Sequence, residues 1–222
     1  MPQNIKRPID VVIIPGSRHT KEEYWYRQLA NTLRSKGLMV LYPRFPPFPQ
    51  QTLSDWEETL KPFEDQFTKN TIFIGHSLGG RFLFNYLESH RAGAVFFVSA
   101  PYKEEINIWR EQMSGSLEAK ALLDQWEQTN GTFFKRPIDW EKLRNNTGKI
   151  HLFYSTNDIL IPKMHPLEIQ RQLKGKLHWI GNGRHLDVPL LRIPGLTTTV
   201  LKTYDEICRS NLEGRKKRSP EG

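Results

Sequence analysis

A serine, an aspartate and a histidine stand in this order along the chain, each shortly after an apolar run. Ser77 is the centre of the segment 75–79, GHSLG, which fits the pattern G-x-S-x-G. Asp158 and His185 follow two later runs of the same kind. A serine hydroxyl needs a base to take its proton, and the base needs an acid that fixes its tautomer. The order therefore predicts a triad in which Ser77 is the nucleophile, His185 the base and Asp158 the acid.

The surroundings of Ser77 strengthen this hypothesis. The apolar run Thr71 to Ile74 precedes the motif, and a segment with helical spacing, Leu78 to His90, follows it. A sharp turn from strand to helix places the serine at the helix N-terminus, and small residues on both sides let the neighbouring chain approach. The backbone N–H of Leu78 and the helix dipole would then face the oxyanion of a reacting carbonyl group.

The second oxyanion donor is expected from the loop after the first apolar run, Asp10 to Ile14. This loop reads PGSRH over residues 15–19. The donor in such sites is a backbone amide, and Gly16 allows the chain to bend there. We predict the N–H of Ser17 as this donor, with Arg18 as the second candidate.

The remaining histidines are weaker candidates for the base. His76 adjoins the nucleophile, but it points away from the strained turn and is expected to be a packing or hydrogen-bonding neighbour. His19 and His165 lie in loops near the predicted site and are weighed as substrate contacts. The others occupy strands or a helix end: His151, His178 and His90.

The elements that position these residues follow from the alternation of two patterns. Short runs rich in Val, Ile and Phe indicate buried strands, and the segments between them have helical spacing. The predicted strands are Asp10 to Ile14, Leu38 to Tyr42, Thr71 to Ile74, Ala94 to Val98, Ile150 to Tyr154 and Leu177 to Ile180. The predicted helices include Tyr24 to Ser35, Leu53 to Phe67, Leu78 to His90 and Leu167 to Leu173. Strands that alternate with helices predict an α/β fold with about six mainly parallel strands.

The alternation stops over residues 102–146. This stretch is polar, contains three tryptophans and has helical spacing over about 104–128. Because ligands of open α/β sheets bind beyond the carboxyl ends of the strands, an insertion after the strand ending near Val98 can cover the site. We therefore predict a helical cap over residues 102–146. The alternative is that the tryptophans only pack the insertion onto the body: Trp109, Trp126 and Trp140.

Composition and charge favour one domain, residues 1–210, that stays in the cytoplasm. The chain has 222 residues, one cysteine and no run of the roughly 18 apolar residues that a membrane span needs. The net charge is +8, but the basic residues are scattered except for Arg215 to Arg218. We expect residues 211–222 to be a disordered basic tail, and we expect no specific nucleic-acid partner. The sequence gives no indication of an oligomeric state.

Metal and cofactor chemistry receive no support from the sequence. The seven histidines and one cysteine form no i, i+4 pair and no close cluster, and the phosphate-binding pattern G-x-x-x-x-G-K-[ST] is absent. A triad reaction needs no cofactor. We therefore expect no metal and no cofactor.

Four stretches resemble the retinoblastoma-binding-protein-nine family of small serine hydrolases, within the α/β-hydrolase superfamily. They are VVIIPG at 11–16, IFIGHSLG at 72–79, FKRPIDWEK at 134–142, and STND at 155–158 together with GRH at 183–185. The third and fourth are more particular to this family than the first two. The resemblance covers most of residues 9–205 and implies a compact α/β-hydrolase domain whose triad is Ser77, Asp158 and His185.

The chain departs from this family in three places. The insertion from Tyr102 to about Asn130 is longer than in typical members, GRH replaces a plainer G-H, and no L-x-C-x-E stretch for binding retinoblastoma protein is present. The first departure leaves the substrate open. The last removes any reason to expect that partner.

The sequence thus predicts hydrolysis of an ester or related acyl bond in a small-molecule substrate, through an acyl-enzyme. Thioesterase, peptidase or acyltransferase chemistry could use the same residues. The aromatic cap and the loop 45–48 indicate a weak preference for an apolar acyl or aromatic group. The alternative is a catalytically inactive hydrolase fold that acts as a protein-interaction module through the insertion or the basic tail.

Overall fold

A six-stranded parallel sheet forms the centre of the molecule. The computed structural model describes residues 7–17, 25–104, 117–187 and 192–216. The strands are β1 Val11–Ile14, β2 Val40–Leu41, β3 Ile72–His76, β4 Ala92–Val98, β5 Thr147–Ser155 and β6 Lys176–Ile180. They are arranged in the order β2-β1-β3-β4-β5-β6, and each neighbouring pair is parallel. Each predicted apolar run overlaps one of these strands, so the predicted α/β fold class is confirmed.

Seven α-helices lie in the described residues. They are α1 Trp25–Ser35, α2 Leu53–Leu60, α3 Leu78–Tyr86, α4 Leu117–Thr129, α5 Trp140–Asn146, α6 Met164–Leu173 and α7 Leu196–Lys216. Thr52 and Asp55 form a capping box that fixes the start of α2. The predicted helix 53–67 continues after α2 as a 3-10 helix, Lys61–Gln66. Pro62 accounts for this change because it cannot donate the backbone hydrogen bond that an α-helix requires.

The core is divided between the two faces of the sheet. Along β1, Val11 and Ile13 pack on one face with α1 and α7, whereas Val12 and Ile14 pack on the other with α2, α3, α5 and α6. Both sets are fully buried. Strands covered on both faces are apolar throughout, so short continuous apolar runs were a reliable signal for this sheet.

The chain reverses its direction of progress across the sheet between β1 and β3. It passes from β1 through α1 to the edge strand β2, and then returns through α2 to β3 on the other side of β1. The helices that follow these two strands, α1 after β1 and α3 after β3, cover opposite faces of the sheet, so the loops that leave β1 and β3 diverge at this point. Crevices of this kind bind ligands in open α/β sheets. The predicted nucleophile and the predicted oxyanion loop both lie here.

The C-terminal part of the stretch predicted as a cap packs into the body of the domain. Leu143 of α5 is fully buried in the core, and the Asn146 side chain donates to the carbonyls of Leu87 and Glu88 at 3.0 and 2.9 Å. Helix α5 therefore packs against the body beyond the end of α3. Helix α4 covers the second half of the predicted helical stretch, and residues 105–116 lie outside the described part of the chain.

Residues 211–216 do not belong to a disordered tail as predicted. Helix α7 continues to Lys216, so residues 211–216 are helical, while 217–222 lie outside the described residues. Val200 and Ile207 are buried against the sheet, and the Asn211 side chain donates to Asn70 at 3.0 Å. These contacts stabilise the final helix in spite of its polar end. In the ranges that the structure describes, no helix is both long and apolar enough to cross a membrane.

Candidate active site

Ser77 occupies a strained turn between β3 and α3. Its backbone has φ of 50° and ψ of −120°, and its amide donates to the carbonyl of Val98 at 2.8 Å. Two glycines make this turn possible by close approach. A Cβ on Gly75 would lie 2.6 Å from the carbonyl oxygen of Gly79, and a Cβ on Gly79 would lie 2.3 Å from that of Pro15. Packing against β1 therefore holds the turn in its strained conformation.

The structure brings Ser77, His185 and Asp158 together in the predicted order. The Nε2 atom of His185 lies 2.9 Å from the Oγ atom of Ser77. Its Nδ1 atom lies 3.0 and 3.3 Å from the two carboxylate oxygens of Asp158. Each contact is within hydrogen-bonding distance, so a proton path from the hydroxyl to the imidazole exists without any rearrangement.

Asp158 is held as a buried carboxylate. Its side chain is 1% exposed, and its Oδ1 atom accepts hydrogen bonds from the amides of Leu160 and Ile161 at 2.9 and 3.0 Å. Burial raises the pKa of this carboxyl group. The hydrogen bond and charge of His185, together with the two amides, lower the pKa by more than burial raises it, so the pKa of Asp158 is below its usual value. Asp158 is therefore ionised at neutral pH and can accept a hydrogen bond from Nδ1–H of His185.

The loop that carries His185 is strained as well. Asn182, Arg184 and Leu186 all have positive φ angles, of 53°, 51° and 51°. The amide of Arg184 donates to the side-chain oxygen of Asn157 at 2.9 Å, so the loops after β5 and β6 are joined directly. The indole N–H of Trp25 donates to the carbonyl of Leu186 at 2.8 Å. Contacts from outside the loop thus hold its unfavourable conformation.

Ser17 and Leu78, whose amides are the predicted oxyanion donors, line the same pocket as Ser77. The structure describes the loop after β1 only as far as Ser17, so Arg18 and His19 lie outside the described residues. The Ser17 hydroxyl accepts a hydrogen bond from the Gln51 side chain at 2.8 Å, and Gln51 also donates to Asn130. Gln51 and Asn130 are each 1% exposed. These buried amides fix the loop that carries Ser17.

The pocket beside Ser77 is small and mainly apolar, with a volume of about 50 Å³. Its walls come from the two predicted oxyanion positions, Ser77, the histidine, the loop after β5 and the insertion. The lining residues are Ser17, Ser77, Leu78, Pro101, Lys103, Trp126, Asn130, Phe134, Leu160, Ile161 and His185. The tryptophans of the insertion have different roles. Trp126 lines the pocket, whereas Trp140 packs against Phe84 with ring centroids 5.6 Å apart. Trp109 lies outside the described residues.

The aromatic loop 45–48 contributes less to the site than the sequence indicated. Phe45 is buried in the core, with its ring centroid 4.7 Å from that of Trp56. It therefore supports α2 and does not face a substrate. The apolar character of the pocket comes instead from the insertion and from the loop after β5.

The other described histidines lie outside this pocket. His151 and His178 face each other across β5 and β6 at 3.2 Å, and burial together with His178 and nearby lysines lowers the pKa of His151 to about 4. His165 is fully buried and accepts the amide of Tyr102 at 3.1 Å, so it is a structural residue. His90 lies beyond the end of α3 and stacks on Tyr86.

Two residues of the site were missed by the sequence analysis. Gln51 follows a proline-rich loop, and Asn130 follows α4; neither position has a pattern that marks a buried amide. Their contact joins positions 79 residues apart. Among the described residues, no group of three or more His, Cys, Asp or Glu side chains is arranged to hold a metal ion.

A sequence profile described as "Serine hydrolase" matches residues 11–189, which is most of the chain. The chain belongs to the serine hydrolase family. The match spans the loop after β1, the Ser77 turn and the loops that carry Asp158 and His185. It confirms the resemblance seen in the four sequence stretches and the prediction that the chain is a serine hydrolase.

Individual proteins are similar to this chain over most of its length. The chain is similar to serine hydrolase RBBP9 of Rattus norvegicus, with 28% identity over 177 residues that cover 77% of this chain and 83% of the rat protein. The structure of the ydeN gene product of Bacillus subtilis has a TM-score of 0.71 and 21% identity, and the alignment covers 89% of this chain and 99% of that one. An esterase, RhEst1 from Rhodococcus, has a TM-score of 0.58 and 16% identity over 90% of each chain. The ydeN gene product and RhEst1 share the fold of this chain.

Proposed function

We propose that this serine hydrolase cleaves a carboxylic ester or related acyl bond through an acyl-enzyme formed on Ser77. The observation that carries the proposal is the position of His185, with Nε2 at 2.9 Å from the Ser77 hydroxyl and Nδ1 at 3.0 Å from Asp158. A serine becomes a nucleophile when such a base takes its proton. Family membership gives the class of reaction, and this geometry supports the roles of the three residues.

In the first half-reaction, Ser77 Oγ attacks the substrate carbonyl carbon while its proton passes to His185 Nε2. The ionised Asp158 accepts the Nδ1–H bond throughout, so that Nε2 is the basic nitrogen and the imidazolium that forms is stabilised. The tetrahedral intermediate then collapses. The bond to the leaving alcohol breaks, and the proton on Nε2 moves to that alcohol.

In the second half-reaction, water replaces the alcohol. His185 takes a proton from the water, the hydroxide attacks the acyl carbon, and the proton returns to Ser77 as the ester bond to the enzyme breaks. The products are a carboxylic acid and the free serine. The negative charge on the carbonyl oxygen in both steps is stabilised by the backbone amides of Leu78 and Ser17, which are proposed as the oxyanion donors.

The pocket favours a small apolar acyl group. Its walls include Trp126, Phe134, Leu160 and Ile161, and its volume of about 50 Å³ accommodates only a few carbon atoms. We therefore propose short-chain esters as the preferred test substrates. Thioesters and amides of the same acyl groups, compared at equal concentration, will show which leaving group this site prefers.

Hydrolysis of p-nitrophenyl acetate and butyrate by the purified chain tests the proposal. We expect a rapid initial release of nitrophenol followed by a slower steady rate, because the acyl-enzyme forms faster than it is hydrolysed and therefore accumulates. Ser77→Ala is expected to abolish both phases. Ser89→Ala is the matched control, because the Ser89 hydroxyl only bonds the Tyr86 carbonyl and His90 and should leave the rates unchanged.

The opposite result would be a folded wild-type chain that hydrolyses none of the esters, thioesters or amides. Such a result would contradict the proposed reaction. It would favour the alternative in which the hydrolase fold has become a protein-interaction module.

A further inference from the structure

We propose that Tyr26 and His76 form a hydrogen-bonded bridge that links the oxyanion loop to the histidine of the triad. Gly16 is at one end of the bridge and the backbone of His185 is at the other. Both Tyr26 and His76 are positioning residues, since they act through the main chain of the two loops. The inference rests on the proposed function, because it assigns residues that keep that site assembled.

Three consecutive contacts make up the bridge. The amide of Gly16 donates to the hydroxyl oxygen of Tyr26 at 3.2 Å. The Tyr26 hydroxyl lies 2.5 Å from Nδ1 of His76. The Nε2 atom of His76 lies 2.9 Å from the carbonyl oxygen of His185. Tyr26 is 1% exposed and His76 is 3% exposed, so the bridge is inside the protein, where hydrogen bonds compete little with water.

The chemistry of the two ends limits where the protons lie. The His185 carbonyl can only accept, so Nε2 of His76 must carry a proton. The Gly16 amide can only donate, so the Tyr26 oxygen accepts there. The bridge takes His76 as the neutral imidazole with its proton on Nε2, so that Nδ1 accepts and the Tyr26 hydroxyl donates to it. In this state all donors point from the oxyanion loop toward the His185 loop.

The His185 loop needs support of this kind. Three of its non-glycine residues have positive φ, and such conformations cost about 1–3 kcal/mol each. Trp25 and Asn157 hold the residues on either side of His185. The bridge alone, among these contacts, reaches the carbonyl of His185 itself.

The other end of the bridge is equally close to the reaction centre. A Cβ placed on Gly16 would lie 3.1 Å from Nδ1 of His76 and 3.1 Å from Cβ of Ser77. The oxyanion loop thus rests on His76, the residue that immediately precedes the nucleophile. One side chain therefore contacts both loops that must be in register with Ser77.

Two substitutions of His76 separate the two halves of the bridge. His76→Gln places an amide N–H near the position of Nε2 and can still donate to the His185 carbonyl. His76→Asn places its amide near Nδ1 and can still bond Tyr26, but it is too short to reach His185. Tyr26→Phe keeps the aromatic packing and removes the hydroxyl.

The first test is the steady-state hydrolysis of p-nitrophenyl butyrate by these variants. We expect His76→Gln to keep kcat within about threefold of the wild type, while His76→Asn loses about 30-fold and Tyr26→Phe about tenfold, because misplaced catalytic groups lower the rate of the chemical step. KM should change less than threefold in all three. In the double variant Tyr26→Phe/His76→Asn, the loss should be smaller than the product of the single losses.

The second test is made on the wild-type chain and does not depend on activity. The ¹⁵N chemical shifts of the His76 imidazole distinguish a nitrogen that carries a proton from one that does not. The bridge requires a neutral ring at neutral pH, with the proton on Nε2. A ring with its proton on Nδ1, or a doubly protonated ring, would overturn the proposed direction of the bridge.

Equal kcat values for His76→Gln and His76→Asn would also overturn the proposal, as would losses confined to KM. If the wild-type chain showed no hydrolase activity, that result would contradict the proposed function and not the bridge. In that case the imidazole spectrum would still show whether the bridge is formed.

Discussion

Two kinds of support meet at the Ser77 hydroxyl. On one side, the turn after β3 is fixed by packing, because backbone oxygens of Pro15 and Gly79 occupy the space where side chains at Gly79 and Gly75 would begin. On the other side, the loops that carry Asp158 and His185 are fixed by hydrogen bonds. The two sides meet at the 2.9 Å contact between Nε2 of His185 and Oγ of Ser77.

This difference separates stability from activity. A substitution that disturbs the packed turn must displace the backbone of β1 or α3, which belong to the core. A substitution that removes a hydrogen bond from the loops changes the position or the tautomer of His185 but leaves the sheet intact. We therefore expect the first kind to lower the free energy of unfolding and the second kind to lower kcat.

The largest effect is expected from Asp158→Asn. The side-chain oxygen of the substituted amide can still accept from Leu160 and Ile161, but its N–H would face Nδ1 of His185 and leave the imidazole proton on Nε2, where the ring cannot accept the hydroxyl proton. We expect kcat to fall by about 10⁴-fold. Ester hydrolysis and urea unfolding, measured on the same preparation, check the result. If the fold were lost together with the activity, the proposed separation would be wrong.

Gly79→Ala tests the packed side. The added Cβ would lie 2.3 and 2.5 Å from the carbonyl oxygens of Pro15 and Ile14. Neither backbone group can move away without disturbing β1. We expect the free energy of unfolding to fall by about 3 kcal/mol, measured by urea unfolding.

Gly181→Ala is the matched control for this prediction. Gly181 is exposed in the loop after β6, and an added Cβ there would meet nothing within 4 Å. Its free energy of unfolding should stay within about 0.5 kcal/mol of the wild-type value. Equal losses in the two glycine variants would show that the Ser77 turn is not held by packing.

A smaller effect is expected from the amides behind the oxyanion loop. Gln51→Leu removes the donor to the Ser17 hydroxyl, and Ser17→Ala removes the acceptor but keeps the backbone N–H. Each should lower kcat by about fivefold, because a single hydrogen bond contributes about 1 kcal/mol. The double variant should lose no more than the larger single loss. Additive losses would mean that the two residues act on the reaction separately.

The smallest effect concerns acid stability. The pKa of Asp158 is lowered in the folded state, so its ionisation stabilises the fold above the unfolded pKa of about 3.9, and this contribution is lost as the pH falls through the folded pKa. The wild type should therefore lose more free energy of unfolding between pH 5 and pH 3 than Asp158→Asn does. Urea unfolding at both pH values measures this difference. An equal loss in both proteins would contradict the lowered pKa.

The sheet and the positions of Ser77, Asp158 and His185 were accessible from the sequence for a physical reason. Buried parallel strands are apolar on both faces, and residues just after them share one edge of the sheet. The six apolar runs therefore predicted both the strands and the edge at which the three polar residues meet.

The residues that support the site could not be predicted in this way. Gln51 and Asn130 contact each other only after the fold has formed, and their sequence neighbours show no pattern that marks them. His76 was expected to be a packing or hydrogen-bonding neighbour of Ser77, but no pattern in the sequence identifies Tyr26 as its partner. The length of α7 was missed for a related reason. Its polar end is stabilised by tertiary contacts such as that between Asn211 and Asn70, which composition does not reveal.

The central claim is that His185 activates Ser77, and labelling with a fluorophosphonate probe tests it most directly. The probe reacts covalently with an activated serine, and mass spectrometry of the digested protein identifies the modified residue. We expect modification of the wild type at Ser77 and none in Ser77→Ala or His185→Ala. A folded wild-type chain that stays unmodified, or one that is modified at another serine, would contradict the proposed triad.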